Sequence, residues 1–95
     1  MNEVKVHVYT SPTCGACKMV KAQIPGSKYE NLFEEKTVYG SEGKENLDFI
    51  KSMGFNSIPV IRIFNETQEE FHVGFMPITK IEEKINILSN MEVKV

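Results

Sequence analysis

The stretch Thr10–Lys18, with the sequence TSPTCGACK, contains both cysteines of this 95-residue chain, Cys14 and Cys17, with two residues between them. The preceding segment, residues 4–9, alternates β-branched residues with larger polar ones, which is typical of a strand. The following segment, residues 16–24, carries apolar residues at helical spacing. The cysteine pair is therefore predicted to lie where a strand passes into a helix.

Cysteines at the start of a helix are well placed for redox chemistry. The nucleophile in disulfide exchange is the thiolate, and the free N–H groups and positive dipole end of a helix N-terminus stabilise that anion. We predict that Cys14 lies in the first helical turn and faces outward, while Cys17 lies one turn further in and faces the core. Cys17 can then resolve a mixed disulfide formed on Cys14, which indicates a dithiol redox site. The helix should end near Gln23, because Pro25 and Gly26 follow.

Composition limits the possible classes of function. The length and the 41% hydrophobic content suit one globular domain over residues 1–95. The net charge of -2, with scattered basic residues, excludes a broad nucleic-acid surface. No apolar run approaches the roughly 20 residues of a membrane span, and the first three residues lead into a strand with no apolar leader. We therefore expect a cytoplasmic protein, and we expect it to be a monomer. In the reducing cytoplasm, two close cysteines are more often catalytic or metal-binding than structural.

Five further elements are predicted along the rest of the chain. The first two are an edge strand over 32–39 and a helix that is capped by Ser41, ends at Gly54 and carries Leu47, Ile50 and Met53 on one face. They are followed by a strand over 58–64 with Pro59 at its start and by a hairpin strand over 69–73. The last is a closing helix, which begins either at Pro77 or at a capping box from Thr79 to Glu82. The order β-α-β-α-β-β-α requires a right-handed βαβ crossover followed by a hairpin. We expect the last five residues to be frayed.

Three segments together resemble the thioredoxin superfamily, and its small glutaredoxin branch most of all. They are Tyr9–Lys18 with its C-x-x-C, Ile58-Pro59-Val60, and Val73–Pro77. The resemblance implies an α/β thioredoxin fold with a four-stranded mixed sheet flanked by three helices. It also implies that Cys14 is the attacking thiol, that Cys17 is the resolving thiol, and that Pro59 is a cis proline packed against the pair.

The same resemblance implies an enzyme that reduces protein disulfides without a cofactor or a metal ion. The backbone of Ile58 would pair with the substrate chain as an added strand. The residues implied to contact substrate are Thr13, Gly15, Ala16, Ile58, Pro59, Gly74 and Phe75.

The segments around the cysteines bear on the electron source. Glutathione-dependent glutaredoxins usually carry a Pro-aromatic pair between the cysteines, a basic residue where Ser11 stands, and a Gly-Gly pair followed by acidic residues. This chain has Gly15-Ala16, Ser11 and Gly74-Phe75-Met76-Pro77. Its Gly-Phe-x-Pro resembles redoxins of the NrdH type, which reduce ribonucleotide reductase and are recharged by thioredoxin reductase, although Met76 stands where those proteins tend to have arginine. We expect a thioredoxin reductase-like enzyme to act faster than glutathione, and the apolar Phe75–Met76 corner to face a protein partner.

Two alternatives use the same cysteines. One is a glutathione-dependent glutaredoxin, and the other is a module that binds zinc or an iron–sulfur cluster. Zinc needs about four ligands, and the two histidines, His7 and His72, are not in ligand spacing with the pair.

Thioredoxins often bury an aspartate where this chain has Val8, so the sequence assigns no carboxylate to proton transfer with Cys17.

Overall fold

The computed structural model describes residues 3–91, and the elements follow the predicted order. The strands are β1 (Lys5–Thr10), β2 (Phe33–Thr37), β3 (Val60–Phe64) and β4 (Glu69–Val73), and the helices are α1 (Gly15–Ala22), α2 (Lys44–Ser52) and α3 (Ile78–Met91). Short 3-10 turns at Glu30–Leu32 and Ser41–Gly43 precede β2 and α2. The predictions for the first two residues, and for the last four of the five residues expected to fray, lie outside the described part of the chain.

The four strands form one mixed sheet in the order β2-β1-β3-β4. Strands β1 and β2 are parallel, as the crossover through α1 requires, whereas β3 is antiparallel to both β1 and β4. The charged strand β2 is at an edge, as predicted. In this register Tyr9 of β1 pairs with Val60 of β3, and Val60 pairs with Val73 of β4. The end of β1 that leads to the cysteines therefore lies beside the start of β3 and the end of β4.

The two faces of the sheet bury separate apolar clusters. On one face, helices α1 and α3 pack on the strands, and the buried residues are Val4, Val6, Val8, Val20, Ile61, Ile63, Met76, Ile81, Ile85 and Leu88. On the other face, Ile50 of α2 packs with Tyr9 and Val60. The buried residues of α3, which are Ile81, Ile85 and Leu88, follow helical spacing along one face of that helix. No helix within residues 3–91 is both long and apolar enough to cross a membrane.

The structure corrects one predicted helix start and decides between two alternatives for another. Ser41 makes no capping hydrogen bond but begins the 3-10 turn, and α2 starts only at Lys44. Gly43, at the end of this turn, packs directly against the backbone of Val38. An added Cβ would be 2.4 Å from the Val38 carbonyl carbon, so the position requires glycine. Helix α3 starts directly after Pro77, whose carbonyl accepts from the helix, so the first of the two predicted starts is right.

Met53 is also placed differently from the prediction. It is the residue that caps the C-terminus of α2, and its side chain is exposed. The i, i+3 spacing from Ile50 extends the apolar face only while the helix continues, and here the helix ends at Ser52.

Candidate active site

The two cysteines form a disulfide at the N-terminus of α1, with their Cα atoms 5.2 Å apart. Cys14 is the N-cap residue, one position before the first helical turn in which we predicted it, and its Sγ accepts a hydrogen bond of 3.1 Å from the Cys17 N–H. An N-cap side chain normally accepts such a bond through oxygen. In the reduced protein the same N–H and the helix dipole favour a thiolate on Cys14.

The two cysteines differ in exposure. Cys17 is 0% exposed, as its predicted inward orientation requires, whereas Cys14 is half-buried and lies in contact with solvent. A disulfide partner from outside can therefore approach Cys14, while Cys17 is enclosed by protein.

The predicted proline lies beside the cysteines. The Ile58–Pro59 peptide bond is cis, and the Cys14 Sγ is 3.9 Å from the Ile58 carbonyl oxygen. Pro59 is fully buried, while Ile58 is half-buried. Both the cis bond and its position next to the cysteines are confirmed.

The segment Gly74–Pro77, here called the Phe75 loop, forms another border of the site. Gly74 donates its N–H to the Pro59 carbonyl oxygen over 2.8 Å, and its φ of 98° is a backbone conformation that favours glycine. Phe75 is 41% exposed, but Met76 is only 5% exposed and belongs to the core. The expected Phe75–Met76 corner is therefore wrong, because only Phe75 reaches the surface.

The remaining predicted contact residues lie next to Cys14 in the chain. Thr13 is exposed, and its hydroxyl lies 3.4 Å from that of Ser11. Gly15 is exposed and Ala16 is half-buried in the first turn of α1. The fold thus brings all of the predicted residues to one end of the sheet, although binding by them stays a prediction.

Sequence reasoning missed Gln23, which it treated only as the end of a helix. The Gln23 side-chain amide donates from Nε2 to the Met76 carbonyl oxygen and accepts at Oε1 from the Ile78 N–H, each over 2.9 Å. It therefore links the end of α1 to the Phe75 loop and to the start of α3. These partners lie 53 and 55 positions further along the chain, so no local pattern indicates them.

A second missed group joins three elements next to the cysteines. The hydroxyl of Thr10, which is 0% exposed at the end of β1, donates to Glu35 over 2.6 Å, and Lys21 of α1 contacts the same carboxylate oxygen at 2.9 Å. These hydrogen bonds, that of Thr10 first, hold the pKa of the Glu35 carboxyl below its ordinary value. Glu35 pairs in register with Val8, so the neighbouring strand carries a carboxylate beside the position where the sequence lacks one.

The two histidines contact residues other than the cysteines. Burial and the nearby Lys36 lower the pKa of His7, whose ring lies edge-on to Phe64 with centroids 4.9 Å apart. His72 lies with its Nε2 3.3 Å from the Phe75 carbonyl oxygen. Among residues 3–91, no group of three or more His, Cys, Asp or Glu side chains is arranged to hold a metal ion.

The sequence matches no protein-family model and no curated protein. Solved structures do resemble it. The reduced thioredoxin pre-protein of Schistosoma mansoni superposes with a TM-score of 0.70 at 20% identity, over 92% of this chain and 80% of that one. Oxidised mitochondrial thioredoxin 3 of Saccharomyces cerevisiae gives 0.68 at 23% identity, over 93% and 81%. Thioredoxin f from spinach chloroplasts gives 0.67 at 20% identity, over 93% and 78%. At these identities the likeness shows the fold.

Proposed function

We propose that this chain, which has the thioredoxin fold, is a dithiol–disulfide oxidoreductase that reduces disulfide bonds in proteins. The observation that carries the proposal is the asymmetry of the pair at the N-terminus of α1. Cys14 is a partly exposed residue whose sulfur accepts a helix N–H, while Cys17 is fully buried. One thiol is placed to attack a substrate, and the other is placed to resolve the product of that attack.

The proposed reaction has two exchange steps. In the first, the Cys14 thiolate attacks one sulfur of the substrate disulfide, the substrate S–S bond breaks, and its second sulfur leaves as a thiolate that takes up a proton. In the second, Cys17 loses its proton and attacks the Cys14 sulfur of the mixed disulfide. The remaining substrate sulfur leaves as a thiolate, and the Cys14–Cys17 disulfide forms. Two electrons pass to the substrate, and an external reductant must return them.

The surroundings of Cys14 suit an extended polypeptide. The Ile58 carbonyl oxygen lies 3.9 Å from the Cys14 sulfur, so a substrate strand that pairs with the Ile58 backbone would place its own disulfide near Cys14. Phe75 offers an exposed apolar side chain on the loop bonded to Pro59. These contacts depend on main-chain and apolar groups and not on charge.

The same lack of charge supports a protein reductase as the electron source. Residues 11–17 and 73–79 contain no Asp, Glu, Lys or Arg, although these types make up 25% of the chain. Glutathione carries two carboxylates and an amine, which need charged or multiple backbone partners. We therefore propose a thioredoxin reductase-like enzyme as the electron donor and ribonucleotide reductase as the leading client.

Two measurements test the proposal. With a disulfide-bonded protein such as insulin as substrate, Cys17→Ser should accumulate a mixed disulfide and Cys14→Ser should lose reduction entirely. Full activity of Cys14→Ser would contradict the mechanism. NADPH consumption should be faster when the protein is coupled to thioredoxin reductase than to glutathione and glutathione reductase. The reverse order would indicate a glutathione-dependent glutaredoxin instead.

A further inference from the structure

The Phe75 loop makes polar contacts with three separate parts of the chain. Its Gly74 N–H is bonded to Pro59, its Phe75 carbonyl oxygen lies 3.3 Å from the His72 ring, and its Met76 carbonyl oxygen accepts from Gln23. Of these three, only Gln23 adjoins the helix that begins at the cysteines, as the C-cap residue of α1. It also lies in a half-buried position, where water competes little for its amide.

We infer that Gln23 is a positioning residue for substrate binding, because its amide fixes the Phe75 loop to the helix that carries the cysteines. This inference rests on the proposed function. The orientation of the amide follows from its partners, since a carbonyl oxygen can only accept and a backbone N–H can only donate. Fixing the loop keeps the exposed Phe75 ring in place before a substrate arrives, so binding does not require ordering it.

The two hydrogen bonds of Gln23 have separable roles. The bond to the Ile78 N–H satisfies a free donor at the start of α3 and supports the fold. The bond to the Met76 carbonyl oxygen holds the loop. Substitutions that remove one bond and keep the other can therefore distinguish positioning from stability.

Gln23→Glu retains an acceptor for the Ile78 N–H but lacks the donor for Met76. Gln23→Lys retains a donor for Met76 but lacks the acceptor for Ile78. We expect Gln23→Glu to lose less stability than Gln23→Lys, because a carboxylate is favoured and an ammonium is disfavoured at the N-terminus of α3. If Gln23 positions the loop, the order for substrate binding is the opposite one: Gln23→Glu should bind a protein substrate less well than Gln23→Lys does.

The experiment measures KM for a disulfide-bonded protein and for a small aromatic disulfide, and takes their ratio. Loss of one buried hydrogen bond on the loop should raise this ratio about fivefold in Gln23→Glu, because only the protein substrate is large enough to contact Phe75. The ratio should stay near native in Gln23→Lys. Asn46→Asp is the matched control, since Asn46 donates a similar bond of 2.8 Å to the Thr37 carbonyl oxygen on a different segment.

A double substitution tests whether Gln23 acts through Phe75. In a Phe75→Ala background, Gln23→Glu should no longer change the ratio. An equal change in both backgrounds, or a ratio that follows stability instead of the Met76 bond, would overturn the inference while leaving the proposed function intact. If the native protein reduced neither disulfide, the proposed function would fail and the inference with it.

Discussion

Glu35 should stabilise the fold mainly through one hydrogen bond and only slightly through its ion pair. The Glu35 and Lys21 side chains are 49% and 36% exposed, and such pairs contribute about 0–1 kcal/mol. The Thr10 hydroxyl is different, because it is fully buried and Glu35 accepts its bond. Glu35→Ala leaves this donor without an acceptor, which costs about 1–3 kcal/mol.

The assay is urea unfolding at neutral pH of the native protein, Glu35→Ala and Glu35→Gln. The amide oxygen of Gln can still accept from Thr10, so Glu35→Gln should lose no more than about 1 kcal/mol. The sharper test adds Thr10→Val, which removes the buried donor with little change of shape. In that background Glu35→Ala should cost little beyond the Lys21 pair.

The pH dependence follows from the lowered pKa of Glu35. A carboxyl whose pKa is lower in the folded than in the unfolded protein stabilises the fold above its unfolded pKa, and this contribution is lost as pH falls through the folded pKa. The native protein should therefore lose more stability on acidification than Glu35→Gln. If Glu35→Ala were equally costly with Thr10 and with Val at position 10, the hydrogen-bond explanation would be refuted.

Three further predictions concern single residues. Alkylation of the reduced protein at mildly acidic pH should modify Cys14 before Cys17, as peptide mass mapping can check, and preferential labelling of Cys17 would reverse their roles. The free energy of unfolding should fall as pH drops below about 6.5, because the lowered pKa of His7 means that the unfolded chain binds a proton there more readily than the folded protein does. His7→Phe should reduce this pH dependence, and an unchanged pH dependence would contradict the burial argument. Gly74→Ala should lower the free energy of unfolding in urea by about 1 kcal/mol or more, because an alanine is strained at that positive φ although its Cβ would have open space. A variant as stable as the native protein would show that the loop can relax.

Local signals predicted the parts of the site that adjoin each other in sequence. Alternation before Cys14 and helical spacing after Cys17 placed the pair at a strand-to-helix junction, and both neighbours formed as predicted. The cis state of Pro59 followed from the resemblance to a family and not from the residues themselves. Topology then brought Pro59 and Gly74 to the same end of the sheet.

Side chains that connect distant elements were not predictable in this way. Glu34, Glu35 and Lys36 are consecutive charges, so alternation could not indicate which one contacts Thr10. The hydrogen bond to Glu35 and the strand register show it. Met76 and Phe75 are adjacent apolar residues, and composition could not tell which one enters the core. These choices depend on register and packing across the whole fold.

The short spacing of the cysteines has a consequence for the reduced protein. The Cys14–Cys17 bond joins residues separated by three positions, within a single turn of α1. Closing so small a loop constrains the unfolded chain less than closing a long one, so the cross-link should add about 2 kcal/mol less stability than one between distant strands would. The sheet and its two apolar clusters hold the molecule together without it. A fold whose core lies outside the cross-link suits the proposed exchange reaction, in which the Cys14–Cys17 bond is repeatedly broken and formed again.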